Sequence, residues 1–176
     1  MQFSIVLQSI QRFLESIHHP CAVIGGLGMV AYGMPRTTLD VDIVVPGEAQ
    51  KQLLSFLGSQ GYEALHVSEG YSNHLHRNPE KGRVDVIYVR GKTCRDLFAD
   101  SRSVVGPEGL TILVLRPEHL AAMKIFAIKN NPSRTFQDLD DIRFLLTLPE
   151  VDREEIKQFF IKYGLEELYE EVQKTL

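Results

Sequence analysis

Two aspartates one residue apart in an apolar run constrain this chain more than any other sequence feature. The segment TTLDVDIVV spans Thr37 to Val45, and its β-branched residues are typical of a buried strand. Side chains alternate along a strand, so Asp40 and Asp42 are expected on one face, about 7 Å apart. Two unpaired anions in a half-buried site repel each other and raise each other's pKa. We therefore expect a cation beside both carboxylates.

A divalent metal ion explains this pair best, because Mg²⁺ takes one or two carboxylates and leaves its other positions to water and phosphates. The structural alternative is a pair of ordinary acids at a strand entrance, each salt-bridged or capping a neighbour. Aspartate is disfavoured in strands, which weakens that alternative.

A third carboxylate is expected from another strand, and Asp85 in RVDVIYV is the candidate. If its strand lies beside the first, Asp85 can complete a two-metal site or accept the proton of an attacking hydroxyl. An ion pair with Arg83 or another nearby cation explains Asp85 equally well until the two strands are shown to be neighbours.

Two glycines ahead of the acids predict a phosphate-binding turn. Gly25 and Gly26 follow a short apolar strand and precede a short helix, so the backbone can approach an anion closely. Gly26 to Ala31 also matches G-x-G-x-x-A, the dinucleotide-binding pattern. A nicotinamide-dependent oxidoreductase is nevertheless a weaker hypothesis, because the acids begin their strand and the helix is too short for an ordinary parallel crossover.

The hydrophobic pattern predicts an α+β protein. An amphipathic helix comes first, and strands are expected in the segments 22–25, 40–45, 62–67, 73–77, 83–89 and 110–115. Helices are expected at 46–61, 117–130 and 134–146, with two more from Asp152 onward. We place an α/β core with its N-terminal helix in residues 1–116 and a helical segment packed on it in 117–176, forming a single compact unit.

Net charge and hydropathy limit the kinds of partner and the cellular location that the sequence predicts. The net charge of −4 provides no global basic footprint for nucleic acid. Residues 74–95 are locally basic, which fits either a phosphate-rich partner or a solvated surface. We expect His74 and His76 to be exposed imidazoles rather than zinc ligands. No basic leader or apolar run of about 18 residues is visible, so a cytoplasmic protein without a membrane partner is expected.

The segment VIGGLGMVAYGMPRTTLDVDIVV, residues 23–45, resembles the signature of the DNA polymerase beta-like nucleotidyltransferase superfamily. Its Arg-x-Thr stretch from Arg36 to Thr38 is similar to the minimal bacterial and abortive-infection toxin (AbiEii-like) nucleotidyltransferases. Residues 117–146 are similar to the part of that toxin group where a lysine-bearing helix precedes an arginine and an Asp-x-x-Asp helix.

This resemblance implies the nucleotidyltransferase fold, a short mixed sheet flanked by helices with a helical C-terminal segment. It implies transfer of a nucleoside monophosphate from an NTP such as ATP to a hydroxyl of RNA or protein, with Mg²⁺ or Mn²⁺ as cofactor. It also points to a toxin with an antitoxin partner. The catalytic and metal-binding residues that it implies are Asp40, Asp42 and Asp85, and the nucleotide-binding residues are Gly25, Gly26, Arg36, Thr38 and Lys124.

Several alternatives remain open at this point. A catalytically inactive nucleotidyltransferase-fold protein that binds a nucleotide or a partner would have Asp85 turned away from the other two acids. Lys124 can instead extend from an apolar helix towards water. Thr135 and Asp138 match a capping box. For Asp138 and Asp141, three residues apart on one helix side, structural pairing is favoured over catalysis.

Overall fold

The structure, a computed structural model, describes residues 3–106 and 109–176 and divides the chain into two units, 1–115 and 116–176. The first unit contains the strands and the second is helical. In the described part of the chain, no helix is both long and apolar enough to cross a membrane.

A seven-stranded mixed sheet organises the described residues of the first unit, in the order β3-β4-β5-β2-β1-β7-β6. Its strands are β1 (Ala22–Val23), β2 (Asp40–Pro46), β3 (Tyr62–Val67), β4 (Tyr71–His76), β5 (Arg83–Val89), β6 (Arg102–Val105) and β7 (Thr111–Val114). The pairs β2–β5 and β1–β7 are parallel and the others are antiparallel. The helices of this unit are α1 (Phe3–Ser16), α2 (Gly25–Ala31), α3 (Gln50–Ser59) and α4 (Gly91–Ala99).

The acid-bearing strand β2 is central because its remaining residues are apolar on both faces. Val41, Ile43, Val44 and Val45 are fully buried, whereas Asp40 and Asp42 at the strand entrance are half-buried. Helix α1 packs against β2 and buries its apolar stripe, which consists of Val6, Leu7, Ile10 and Leu14. The hydrophobic core therefore holds β2 rigidly and leaves its first residues at the edge of the core.

The second unit contains the helices α5 (Pro117–Asn130), α6 (Thr135–Thr147), α7 (Arg153–Lys162) and α8 (Glu166–Gln173). Pro117 is the first residue of α5. Proline is tolerated there because the N–H groups of the first turn make no hydrogen bond within the helix. Asp152 caps α7, because its side chain accepts a hydrogen bond from the Glu155 N–H at 2.9 Å.

The mixed sheet with flanking helices confirms the predicted α+β class. Two elements were not predicted, helix α4 and strand β6. Leu97 is the one buried residue of helix α4, and β6 is an edge strand with three of its four residues exposed. Both elements are short and bury few residues, so the apolar pattern in each is too limited to stand out in the sequence.

Candidate active site

Strands β2 and β5 are parallel neighbours in a register that aligns the predicted acids. Asp42 lies opposite Asp85, and Asp40 lies opposite Arg83. Residues paired in this way share a face of the sheet, and Asp40 shares that face through the two-residue period of β2. The strands of the two predicted acid segments are therefore neighbours, and Asp85 lies on the same face as Asp40 and Asp42 instead of facing away.

Two donors hold the carboxylate of Asp85 by the same oxygen. Arg83 Nε donates to Asp85 Oδ1 at 2.7 Å, and Asn73 Nδ2 from β4 donates to that oxygen at 2.9 Å. Asn73 is the register partner of Asp85, so its amide projects from the same face of the sheet. Neither bond involves Asp85 Oδ2. The structure therefore contains both features that the sequence suggested for Asp85: it forms an ion pair with Arg83, and it is aligned with Asp42.

The acids and Arg83 form one electrostatic cluster. Burial raises the pKa of Asp40, the negative charge of Asp85 raises it further, and the positive charge of Arg83 partly opposes both effects. The pKa of Arg83 is raised mainly by its hydrogen bond to Asp85, and the charges of all three acids contribute although burial acts the other way. Asp40, Asp85 and Arg83 are therefore electrostatically coupled.

The two predicted glycines are the first two residues of α2 instead of a turn ahead of it, and Gly25 lies directly against Asp42 of β2. Gly25 has a φ of +56°, and a Cβ added there would lie 2.1 Å from Asp42 Oδ2. A Cβ at Gly26 would lie 2.6 Å from Thr38 Oγ1, and that hydroxyl donates to the Asp40 carbonyl at 3.3 Å. The start of α2 therefore passes through space that only residues without a side chain can fill.

The remaining nucleotide-binding candidates have less decisive positions. Arg36 is half-buried in the segment between α2 and β2. Lys124, in the second unit, is buried and donates to Asp138 Oδ1 at 3.2 Å and to Asp141 Oδ2. This pairing is the structural role that the sequence favoured for the two acids, whereas a nucleotide contact for Lys124 stays a prediction.

The capping box expected at Asp138 does not form. Thr135 Oγ1 donates backwards to the Pro132 carbonyl at 2.7 Å, and Asp138 accepts from Arg134 Nε at 2.8 Å. The buried lysine and the arginine at the start of α6 attract this carboxylate more strongly than a neutral backbone N–H would.

His74 is also placed differently from expectation, because it is buried rather than exposed. Its register partner is the fully buried Val84, so it faces the core. There His74 Nε2 lies 2.8 Å from Ser72 Oγ, which lies 2.7 Å from Tyr88 Oη. Burial lowers the pKa of His74 although the charge of Asp85 opposes this. This hydrogen-bonded chain satisfies three buried polar groups on the face opposite the acids.

The donor set fits a divalent cation chemically but not as a preformed cage. Asp40, Asp42 and Asp85 offer carboxylate oxygens, which are the ligands that Mg²⁺ and Mn²⁺ prefer. Within residues 3–106 and 109–176, no group of three histidine, cysteine, aspartate or glutamate side chains is arranged to hold a metal ion. The engagement of Asp85 by Arg83 and Asn73 is consistent with this finding, and it leaves Asp40 and Asp42 as the primary candidates.

We expect Gly25→Ala to reduce strongly the rate of the nucleotidyl transfer that the sequence predicts, because the new methyl group must displace the Asp42 side chain. A shift of about 1 Å in a reacting group can cost about a hundredfold in rate. The matched control is Gly33→Ala, since Gly33 also has a positive φ, +93°, but nothing lies within 4 Å of an added Cβ. Both variants bear the backbone strain, about 1 kcal/mol each. Equal kcat/KM in the two variants would mean that the contact with Asp42 is unimportant.

Comparison with known proteins identifies the fold. No family model and no curated protein matches this sequence. Among solved structures, the antibiotic-resistance factor ANT(2'')-Ia aligns with a TM-score of 0.71 at 12% identity, over 98% of this chain and 96% of its own. The lincosamide antibiotic adenylyltransferase LnuA aligns at 0.55 with 18% identity, over 81% of this chain and 96% of its own. A putative nucleotidyltransferase from Thermotoga maritima aligns at 0.56 with 18% identity, over 76% and 89% of the respective chains.

These neighbours share a nucleotidyltransferase architecture, and the chain therefore has the nucleotidyltransferase fold that its sequence predicted. At sequence identities of 12% and 18%, the structural similarity is evidence for the fold alone. The toxin subgroup stays a prediction.

Proposed function

We propose that this protein is a metal-dependent nucleotidyltransferase that moves a nucleoside monophosphate from an NTP to a hydroxyl group of an acceptor. One observation carries the proposal. Asp42 and Asp85 are register partners on adjacent parallel strands, with Asp40 on the same face and Gly25 against Asp42. Three acids that share one face beside the glycines that begin α2 suit a triphosphate with its metal ions better than any structural purpose.

Each residue of this cluster has a separate task in the proposed reaction. Asp40 and Asp42, together with Asp85, would hold Mg²⁺ or Mn²⁺, and Oδ2 of Asp85 is kept for the proton. When bound, such ions neutralise phosphate charge and polarise the reacting phosphoryl group. Gly25 and Gly26 leave room for the side chains of Asp42 and Thr38, which lie where a Cβ would be, so that Asp42 can take its place in the acid cluster. Thr38 braces the start of α2 through its contact with Gly26, and Arg36 is the candidate partner for the phosphates.

The transfer step balances without a further reactant. The acceptor hydroxyl oxygen forms a bond to the α-phosphorus, and the bond from that phosphorus to the β-bridging oxygen breaks. Pyrophosphate leaves with the electron pair. The hydroxyl proton passes to a base, for which Asp85 is suited because both of its donors bind Oδ1 and Oδ2 can accept the proton.

ATP is the proposed donor. A solved structure of ANT(2'')-Ia contains adenylyl-2''-tobramycin, and LnuA is named an adenylyltransferase. For the acceptor, RNA or protein is the proposal that follows from the toxin-like sequence, with an antitoxin as partner. A small hydroxylated molecule is the proposal that follows from the antibiotic-modifying neighbours.

A second function is favoured by the ion pair between Arg83 and Asp85. If Arg83 never leaves the third acid, the protein binds a nucleotide or a partner without transferring anything. This catalytically inactive form of the fold is the alternative that an activity assay must exclude.

The deciding experiment incubates the full chain with each α-labelled NTP and Mg²⁺ or Mn²⁺, separately with total RNA, a protein mixture and a panel of aminoglycosides and lincosamides. We expect label from ATP in one acceptor fraction and its loss when EDTA removes the metal. Nucleotide binding without labelled product in any fraction would support the inactive alternative. Labelling that persists in EDTA would contradict the metal-dependent mechanism.

A further inference from the structure

Arg83 occupies the position in the acid cluster where a cation is needed. Its Nε lies 2.7 Å from Asp85 Oδ1, and it stands opposite Asp40 in the register of β2 and β5. We propose that Arg83 is a built-in counter-ion that competes with the divalent cation for Asp85, so that the site binds metal weakly until a nucleotide is present. This inference rests on the proposed function, because it concerns the metal site of that reaction.

The exposure of the two partners makes such an exchange feasible. The Arg83 side chain is 40% exposed and that of Asp85 is 25% exposed. A guanidinium at the surface can swing into water without leaving a buried charge behind, and an ion pair this exposed contributes little stability. Once Arg83 has moved, Asp85 keeps only the neutral donor Asn73 of the two donors to its Oδ1 and can take another cation. The pair is therefore better suited to exchange than to a permanent structural role.

Asn73 explains how Asp85 can stay oriented during the exchange. Its amide donates to the same Oδ1 at 2.9 Å and carries no charge. When Arg83 leaves, the hydrogen bond from Asn73 still holds Oδ1. The other oxygen, Oδ2, accepts neither of these bonds and keeps its position because the carboxylate is held through Oδ1. Asn73 and Arg83 thus have different tasks, since one orients Asp85 and the other neutralises it.

The exchange links metal binding to nucleotide binding. A triphosphate supplies negative charge that attracts both a divalent cation and a displaced guanidinium. Without nucleotide, a bound cation must face the positive charge of Arg83 or force it away. The affinity for metal alone is therefore expected to be low and to rise when ATP is bound, and the same coupling applies in the reverse direction.

The test measures Mn²⁺ affinity of the full chain without nucleotide, by the electron paramagnetic resonance signal of free Mn²⁺. Arg83→Gln is expected to bind Mn²⁺ about tenfold more tightly than wild type, since removing a unit charge a few ångströms away has an effect of this order at a partly exposed site. Arg77→Gln is the matched control, because it makes the same charge change at an exposed residue of the β4–β5 turn. It should leave the affinity within about twofold.

Two further variants separate charge from hydrogen bonding and from folding. Arg83→Lys keeps the charge and is expected to resemble wild type, whereas Asn73→Ala removes a neutral donor and should not tighten binding. Thermal unfolding confirms that each protein is folded. The inference is overturned if wild type binds Mn²⁺ and Arg83→Gln does not bind it more tightly, or if Arg83→Lys tightens binding equally. Absence of Mn²⁺ binding in wild type and Arg83→Gln, even with ATP, would overturn the metal site and hence the proposed function as well.

Discussion

Asp42→Asn is expected to lower nucleotidyl transfer by at least about a thousandfold while the protein stays folded. Asparagine has nearly the same shape as aspartate, so it can keep the packing against Gly25 and the place opposite Asp85. It lacks the negative charge that a metal ligand needs at this position. Because the replacement is nearly isosteric, the thermal midpoint of the variant should stay close to that of wild type in the absence of metal.

The measurement compares kcat/KM for label incorporation and the unfolding midpoint of both proteins. Asp96→Asn serves as the matched control, since Asp96 is a surface acid on α4 that pairs with Lys92 at 2.6 Å. That variant should retain full activity and lose less than about 0.5 kcal/mol of stability. Full activity in folded Asp42→Asn would show that the acids of β2 do not carry the reaction.

The alternation of side chains in a strand made Asp40 and Asp42 predictable, because the two-residue period is a local property of the chain. The partnership with Asp85 was not predictable in the same way. It depends on β2 and β5 pairing in parallel, in a register that places Asp42 opposite Asp85. The sequence showed an isolated acid in an apolar strand, but the register comes from burying Val41, Ile43, Val84 and Val86 together, which is a long-range effect.

Asn73 was missed because nothing in its own segment marks it. Its task arises only when β4 pairs with β5 and brings its amide opposite Asp85. The same pairing explains the wrong prediction for His74, which faces the core with Val84. An alternating strand has one buried face, and the residues YSNHLH contain polar side chains on both faces. The pattern therefore could not indicate which face of β4 is buried. Ser72 and His74 can lie on the buried face because they form hydrogen bonds with each other and with Tyr88.

The second large effect is expected in the helical unit, where Lys124→Ala should destabilise the protein by about 3–5 kcal/mol. The side chain of Lys124 is 11% exposed, and those of Asp138 and Asp141 are 1% and 3% exposed. The substitution removes the cation that both buried carboxylates share. Such a loss is a large part of the roughly 5–15 kcal/mol that stabilises a typical domain.

Urea unfolding of Lys124→Ala and Lys129→Ala measures this effect against a control on the same helix. Lys129 is exposed, so its replacement should change stability by less than about 0.5 kcal/mol. Adding Asp141→Asn to Lys124→Ala should restore part of the lost stability, because one buried negative charge then disappears together with the cation. A nucleotide-contacting role for Lys124 predicts a different pattern. Lys124→Ala would then match wild type in stability and bind ATP more weakly, and that outcome would contradict the structural role inferred from the buried ion pairs.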